Sequence, residues 1–335
     1  MTTGKAPGQL GPGNLLRWGV QGLVLGLVLW FLGMRLVRDW EQLRSTPWEF
    51  HPAWLLACGV AYLLGLSPCA WFWRRVLLRL GYPVPWLPLL QAYYWGHLGK
   101  YVPGKALVVV LRTASLRRCG VPIRVAVVSV FYETLTMMAV GAAVAVVLLG
   151  GIGFQHGRAD HGGEHAWLLP LAVGCGALAL VPTMPAVFRR LAAVLWRRSP
   201  PEEMPPLERL GWGTLLAGHA AMLVTWGLLA LSAVLGLRSI DSSLPWQRLL
   251  ELGPYLAAAV SLAVVAGFLS LVPGGLAVRE AVIVALLAPA LGTSAAALLL
   301  AVLLRVVWLV SEAAVSIMLK GVSWFCRPQG EPPQR

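Results

Sequence analysis

Two stretches set charge beside helix-breaking residues in otherwise apolar surroundings. The first is Gly99-Lys100-Tyr101-Val102-Pro103-Gly104-Lys105, and the second is Leu271-Val272-Pro273-Gly274-Gly275-Leu276-Ala277-Val278-Arg279-Glu280. The first formally satisfies the opening of a phosphate-binding P-loop. That reading fails: Ala106 stands where a Mg²⁺-ligating hydroxyl belongs, and Trp95-Gly96-His97-Leu98 is no buried strand. Pro103 also removes an amide from the would-be cradle.

Anion chemistry survives without a nucleotide. A Pro103-Gly104 break frees backbone N–H groups, and a helix starting near Lys105 would point its positive end at the break. Lys100 and Lys105 add full charges, with Tyr101 between them. The plain alternative is that both lysines snorkel to the interface and neutralise lipid phosphates. Ionisable groups at membrane depth are costly and usually functional, which favours a site role for Lys105. Pro273-Gly274-Gly275 followed by Arg279-Glu280 repeats the case. No charge occurs between Leu252 and Val278 or between Ala281 and Leu304. Neighbouring helical residues point about 100° apart, so Arg279 and Glu280 need separate partners. Glu133, alone in its apolar run, is the candidate partner for Arg279 or Lys105.

The elements that must position these residues are membrane helices. Of 335 residues, 58% are hydrophobic and 12% charged, with mean hydropathy +0.72; soluble domains carry about 25% charged residues. The net charge of +13 comes from arginines in short loops, which fits anionic lipid rather than nucleic acid. Cys58, Cys69, Cys119, Cys175 and Cys326 show no paired spacing, so no disulfide framework or metal knuckle is expected. No cofactor is indicated.

The chain reads as an all-α polytopic membrane protein with about six full spans and two re-entrant hairpins. Residues 1–16 form a Gly/Pro-rich tail, 17–320 one membrane domain, and 321–335 a second tail. The expected spans are Trp18–Met34, Ala53–Trp73, Val125–Phe154, Ala166–Phe188, Leu210–Leu237 and a last one ending near Leu319, with hairpins at 82–122 and 252–290. Arginine-rich loops at 74–79, 112–124 and 189–209 place those loops and both termini in the cytoplasm, at the cell (inner) membrane. The three arginines of 35–50 depart from that rule. By parity the halves 17–154 and 166–320 are inverted repeats whose hairpins enter from opposite faces, the architecture of secondary transporters.

With both motifs in view, the chain resembles the flippase-like membrane family named for the transmembrane region of lysylphosphatidylglycerol synthases. The resemblance spans roughly 15–320 and implies movement of a polar or anionic lipid between leaflets, as in flipping of aminoacylated phosphatidylglycerol. Ala277 stands where that family often has another glycine. The soluble aminoacyl-transferase domain of the full synthases has no counterpart here, so lysyl transfer is not expected.

The remaining polar candidates are lesser ones. His156, Asp160, His161, Glu164 and His165 read as a solvated loop before a metal site. His219 reads as a structural histidine before a proton relay, and Arg305 and Glu312, on one helix face, are undecided between structure and cavity. The expected function is lipid translocation that is not ATP-driven. Lys100, Lys105, Tyr101, Arg279, Glu280 and Glu133 would line the site between breaks at Pro103-Gly104 and Pro273-Gly274-Gly275. Glu133 or Glu280 would couple protons. The expectation is that the protein is not an enzyme. Two alternatives stay open: an intramembrane transferase on a lipid-linked substrate, and a non-transporting partner of a separate synthase or glycosyltransferase.

Overall fold

The computed structural model describes residues 48, 50–101, 106–156, 168–195, 205–270 and 272–325, all helical or connecting segments. Ten helices follow in order: α1 Pro52–Arg79, α2 Trp86–Leu98, α3 Ala106–Arg117, α4 Ile123–His156, α5 Leu168–Thr183, α6 Pro185–Leu195, α7 Trp212–Ile240, α8 Trp246–Leu269, α9 Val278–Leu291 and α10 Ser294–Phe325. Short 3₁₀ turns occupy Gly99–Tyr101 and Pro273–Gly275. Five of these helices (α1, α4, α7, α8 and α10) are long and apolar enough to cross a membrane. The protein is therefore an all-α polytopic membrane protein. The expected span Trp18–Met34 lies outside the described residues.

Most spans sit where hydropathy puts them, with longer ends. The helix of α1 continues beyond Trp73 because Arg74 finds a place at the segment end: its Nε donates to Val84 O at 3.0 Å and its guanidinium lies over Trp86. The expected single span Ala166–Phe188 is instead broken. Residues 173–183 and 185–194 meet at 73°, because Pro185 has no N–H to continue the ladder and restricts the preceding residue.

Helices α2, α3 and α9 have 13, 12 and 14 residues, against about 20 needed to span. Contacts at the helix ends fix how the hairpins enter. At one end of the bundle, His51 N donates to Ser239 O, Trp54 meets Trp246 edge-on, and Arg248 reaches Ala290 O. These contacts gather the start of α1, the end of α7, the start of α8 and the end of α9. At the other end, Gln91 Nε2 donates to Leu319 O at 2.7 Å, joining α2 to the end of α10. The α2/α3 hairpin thus enters where α1 ends, and the α8/α9 hairpin enters where α1 begins.

The order long helix, helix pair, long helix occurs twice in opposite directions, as α1–α4 and α7–α10, but the pairs differ: α8, with 24 residues, is itself long enough to cross, unlike either helix of the α2/α3 pair, so the hairpin expected at 252–290 begins with a span-length helix. The two halves also exchange partners: α1 packs on α7, α2 on α10, and α8 on α4. Small residues allow this closeness, as membrane packing requires; a Cβ on Gly218 would lie 2.4 Å from the Phe72 ring and one on Gly141 2.2 Å from Trp226.

The second break depends on left-handed backbone. Gly274, Gly275 and Ala277 have φ of 59°, 64° and 67°. Ala277 is the one non-glycine residue in that region among those described, which explains physically why glycine suits the position. Replacing Ala277 by Gly relieves a left-handed penalty of about 1–2 kcal/mol, so a net stabilisation near 1 kcal/mol is expected in detergent-monitored unfolding. Gly275→Ala brings a methyl within 2.7 Å of Gly267 Cα as well as straining φ, and should cost about 2–5 kcal/mol. Wild-type stability in the latter variant would contradict the tip geometry.

Candidate functional site

The hairpin tips meet inside the bundle. A Cβ placed on Gly274 would sit 3.4 Å from the Tyr101 ring and 3.7 Å from Lys100 O. Each tip brings charge to that junction, and α10 supplies the opposite charges. Lys100 Nζ lies 2.5 Å from Glu312 Oε1 and 3.3 Å from Tyr62 OH. Tyr62 donates to the same Glu312 oxygen and stacks on Trp308 at 4.5 Å. Glu280 pairs with Arg305, whose second nitrogen donates to Gly274 O at 3.1 Å. Arg305 and Glu312 share a face of α10, and each holds one hairpin.

Arg279 is treated differently. Its aliphatic stem packs against Gly267, where a Cβ would come within 2.8 Å of it. Its guanidinium lines a small cavity with Tyr101, Glu280, Ile283, Arg305 and Trp308. Among the described residues no carboxylate lies within ion-pair distance of Arg279, and its buried Nε has no hydrogen-bond partner. Glu280 and Glu312 each also keep one buried oxygen without a partner. Among the described residues, the junction holds the cations Lys100, Arg279 and Arg305 and the carboxylates Glu280 and Glu312. An arginine held at membrane depth without a carboxylate costs a few kcal/mol, about 2.5–3.5 on insertion scales, and its natural complement is an anion.

Glu133 is not part of this cluster. It receives Arg112 Nη1 at 2.8 Å, and Tyr93 OH and the Thr134 hydroxyl also face its oxygens. Instead of the pairing expected with Arg279, Glu133 pairs within the first repeat, because α3 packs directly on α4; Lys105, the other expected partner, lies outside the described residues. Arg112 had the sequence signature of a loop cation but is 1% exposed. Its guanidinium is 4.1 Å from the Tyr93 ring centre and 5.0 Å from that of Trp73, and its second nitrogen contacts His97 Nδ1 at 3.1 Å. Gly96 makes room for it, since a Cβ there would lie 2.4 Å from Arg112 Cγ. The apolar run Leu107-Val108-Val109-Val110-Leu111 just before it was the available signal.

Pro103, Gly104 and Lys105 lie outside the described residues, as does the loop 157–165 of the histidine cluster. His219 contacts Leu215 O of its own helix at 2.8 Å, a local helix bond. Tyr62 and Trp308 were not singled out from the sequence; both read there as ordinary span aromatics.

The family model described as "Lysylphosphatidylglycerol synthase TM region" matches residues 19–315. Among curated proteins none matches the chain. The family match and the apolar helices together indicate a multi-pass membrane protein with a membrane-lipid role.

Arg112→Met leaves Glu133 buried without its cation and should destabilise the fold by about 3–5 kcal/mol. The double variant Arg112→Met/Glu133→Leu should recover most of that loss in the same unfolding titration. A double variant no more stable than the single would show that the pair is not what holds α3 to α4.

Proposed function

Because the chain belongs to the family of the lysylphosphatidylglycerol synthase transmembrane region, we propose that it translocates a phosphate-bearing lipid headgroup between leaflets of the cell membrane. The observation that carries this reading is Arg279, a buried guanidinium without an anion among the described residues, placed where two hairpins from opposite faces touch. Arg279 and Lys100 hold the headgroup phosphate through charge-assisted hydrogen bonds, while the acyl chains stay in lipid. The cavity has a volume of about 20 Å³, room for roughly one water molecule. It is closed to a headgroup, so the tips must part toward one face or the other, the rocking of one repeat against its inverted partner. Without a nucleotide-binding motif, the work comes from an ion gradient or from mass action.

A transferase reading lacks a comparable observation. Glu280 and Glu312 are each neutralised by a separate cation rather than paired with one another. A purely docking role is likewise poorly matched, since the described hairpin charges Lys100, Arg112 and Glu280 pair inside the bundle.

In proteoliposomes carrying a fluorescent phosphatidylglycerol, Arg279→Ala and Lys100→Ala should each slow translocation by about 10–100-fold. That range corresponds to the 1.5–3 kcal/mol of a hydrogen bond to a charged group. Thermal unfolding of both variants in detergent serves as the fold control. Full activity in both would remove the charged-site account.

A further inference from the structure

The three buried acids differ in what remains for them when an anion arrives. Glu133 has both oxygens contacted, by Arg112 and Thr134 on one and Tyr93 on the other, away from the tips. Glu280 keeps Arg305, which is tied to Gly274 as well. Glu312 is 0% exposed and depends for its charge on Lys100, whose side chain is 19% exposed. Lys100 is also one of the two cations that the phosphate requires. Resting on the anion-site reading above, we propose that Glu312 is a proton-binding site coupled to headgroup binding. When a phosphate diester takes Lys100, Glu312 takes a proton.

The physical reason is the cost of an unpaired buried carboxylate. Removing the cation from a buried pair costs about 3–5 kcal/mol, and a desolvated carboxylate avoids that cost by becoming neutral. The proton comes from water and binds a Glu312 oxygen; Oε2 already lacks a partner. No bond in the lipid changes. The other groups facing Glu312 do not replace Lys100. Tyr62 on α1 donates its hydroxyl to Glu312 Oε1, and that phenol, like those of Tyr94 on α2 and Tyr101 beside Lys100, brings no positive charge. Arg279 on α9 is the second phosphate ligand, and Arg305 on α10 is committed to Glu280 and Gly274. On α7 the titratable side chains, His219 and Arg238, contact Leu215 O and Leu244 O.

Linkage then makes the coupling reciprocal. Because one proton is taken up with each anion, anion affinity falls as the pH rises. The site would thus load one proton with each phosphate diester. A pH difference across the membrane could then drive lipid movement.

Titration calorimetry of the purified protein, repeated in buffers of different ionisation enthalpy, counts the protons. The probes are dihexanoyl phosphatidylglycerol and its deacylated headgroup, glycerophosphoglycerol. Neither diester titrates near neutrality. About one proton taken up per dihexanoyl phosphatidylglycerol bound in the wild type, and none in Glu312→Gln, is the expected result. Uptake with the deacylated headgroup as well assigns the phosphodiester as the trigger, whereas uptake confined to the lipid assigns the acylated form. Infrared difference spectra of the wild type should show a new protonated-carboxyl band on binding, a readout that needs no folded variant. Binding without proton uptake overturns the proposal and leaves the anion site standing. Undiminished uptake in Glu312→Gln also overturns it. No binding of either probe removes the anion site itself.

Discussion

The junction between the two hairpin tips constrains everything around it, because it confines ionic groups where water is scarce. Tyr101 and Lys100 from one tip touch Gly274 from the other, and their ionic partners both come from α10. A charge held there needs a fixed counter-charge, a hydrogen bond or a ligand. Lys100 and Arg305 have the first two. Arg279 has no carboxylate partner among the described residues and its Nε has no hydrogen bond, which is what motivates the proposal of an anion there.

The two helix pairs reach that junction from opposite ends of the bundle, with little sequence likeness between halves. In each half the returning hairpin helix is tied to the last span by a buried ion pair: Arg112 with Glu133, and Glu280 with Arg305. The signs are reversed between halves. In each half, too, a glycine on the entering helix makes room for an arginine on the returning one, Gly96 for Arg112 and Gly267 for Arg279. One arginine is neutralised within its own repeat and the other is not. This difference leaves Arg279, on the second hairpin, as the arginine without a carboxylate partner among the described residues.

The long spans among the described residues and the break at Pro273-Gly274-Gly275 were legible from hydropathy and composition, because long apolar runs and helix breakers act locally. Pairing was not. The Arg112 partner of Glu133 was not foreseen, since nothing in a sequence says that α3 lies on α4, and Arg112 hid among loop arginines. Arg305 and Glu312 were seen to share a face, but their partners come from two separate hairpins. The need of Arg279 and Glu280 for separate partners followed from helical geometry alone. The bend at Pro185 was missed because the apolar run passes through it.

The central claim is that Arg279 meets a lipid phosphate inside the bundle. Solid-state NMR with ³¹P–¹⁵N dipolar recoupling tests it directly, using ¹⁵N-arginine protein reconstituted in phosphatidylglycerol, with Arg279→Lys to assign the signal. The account predicts a guanidinium nitrogen within hydrogen-bonding reach of phosphorus that disappears in the variant. An identical recoupling signal in wild type and variant would place the phosphate contacts at surface arginines only, and contradict it.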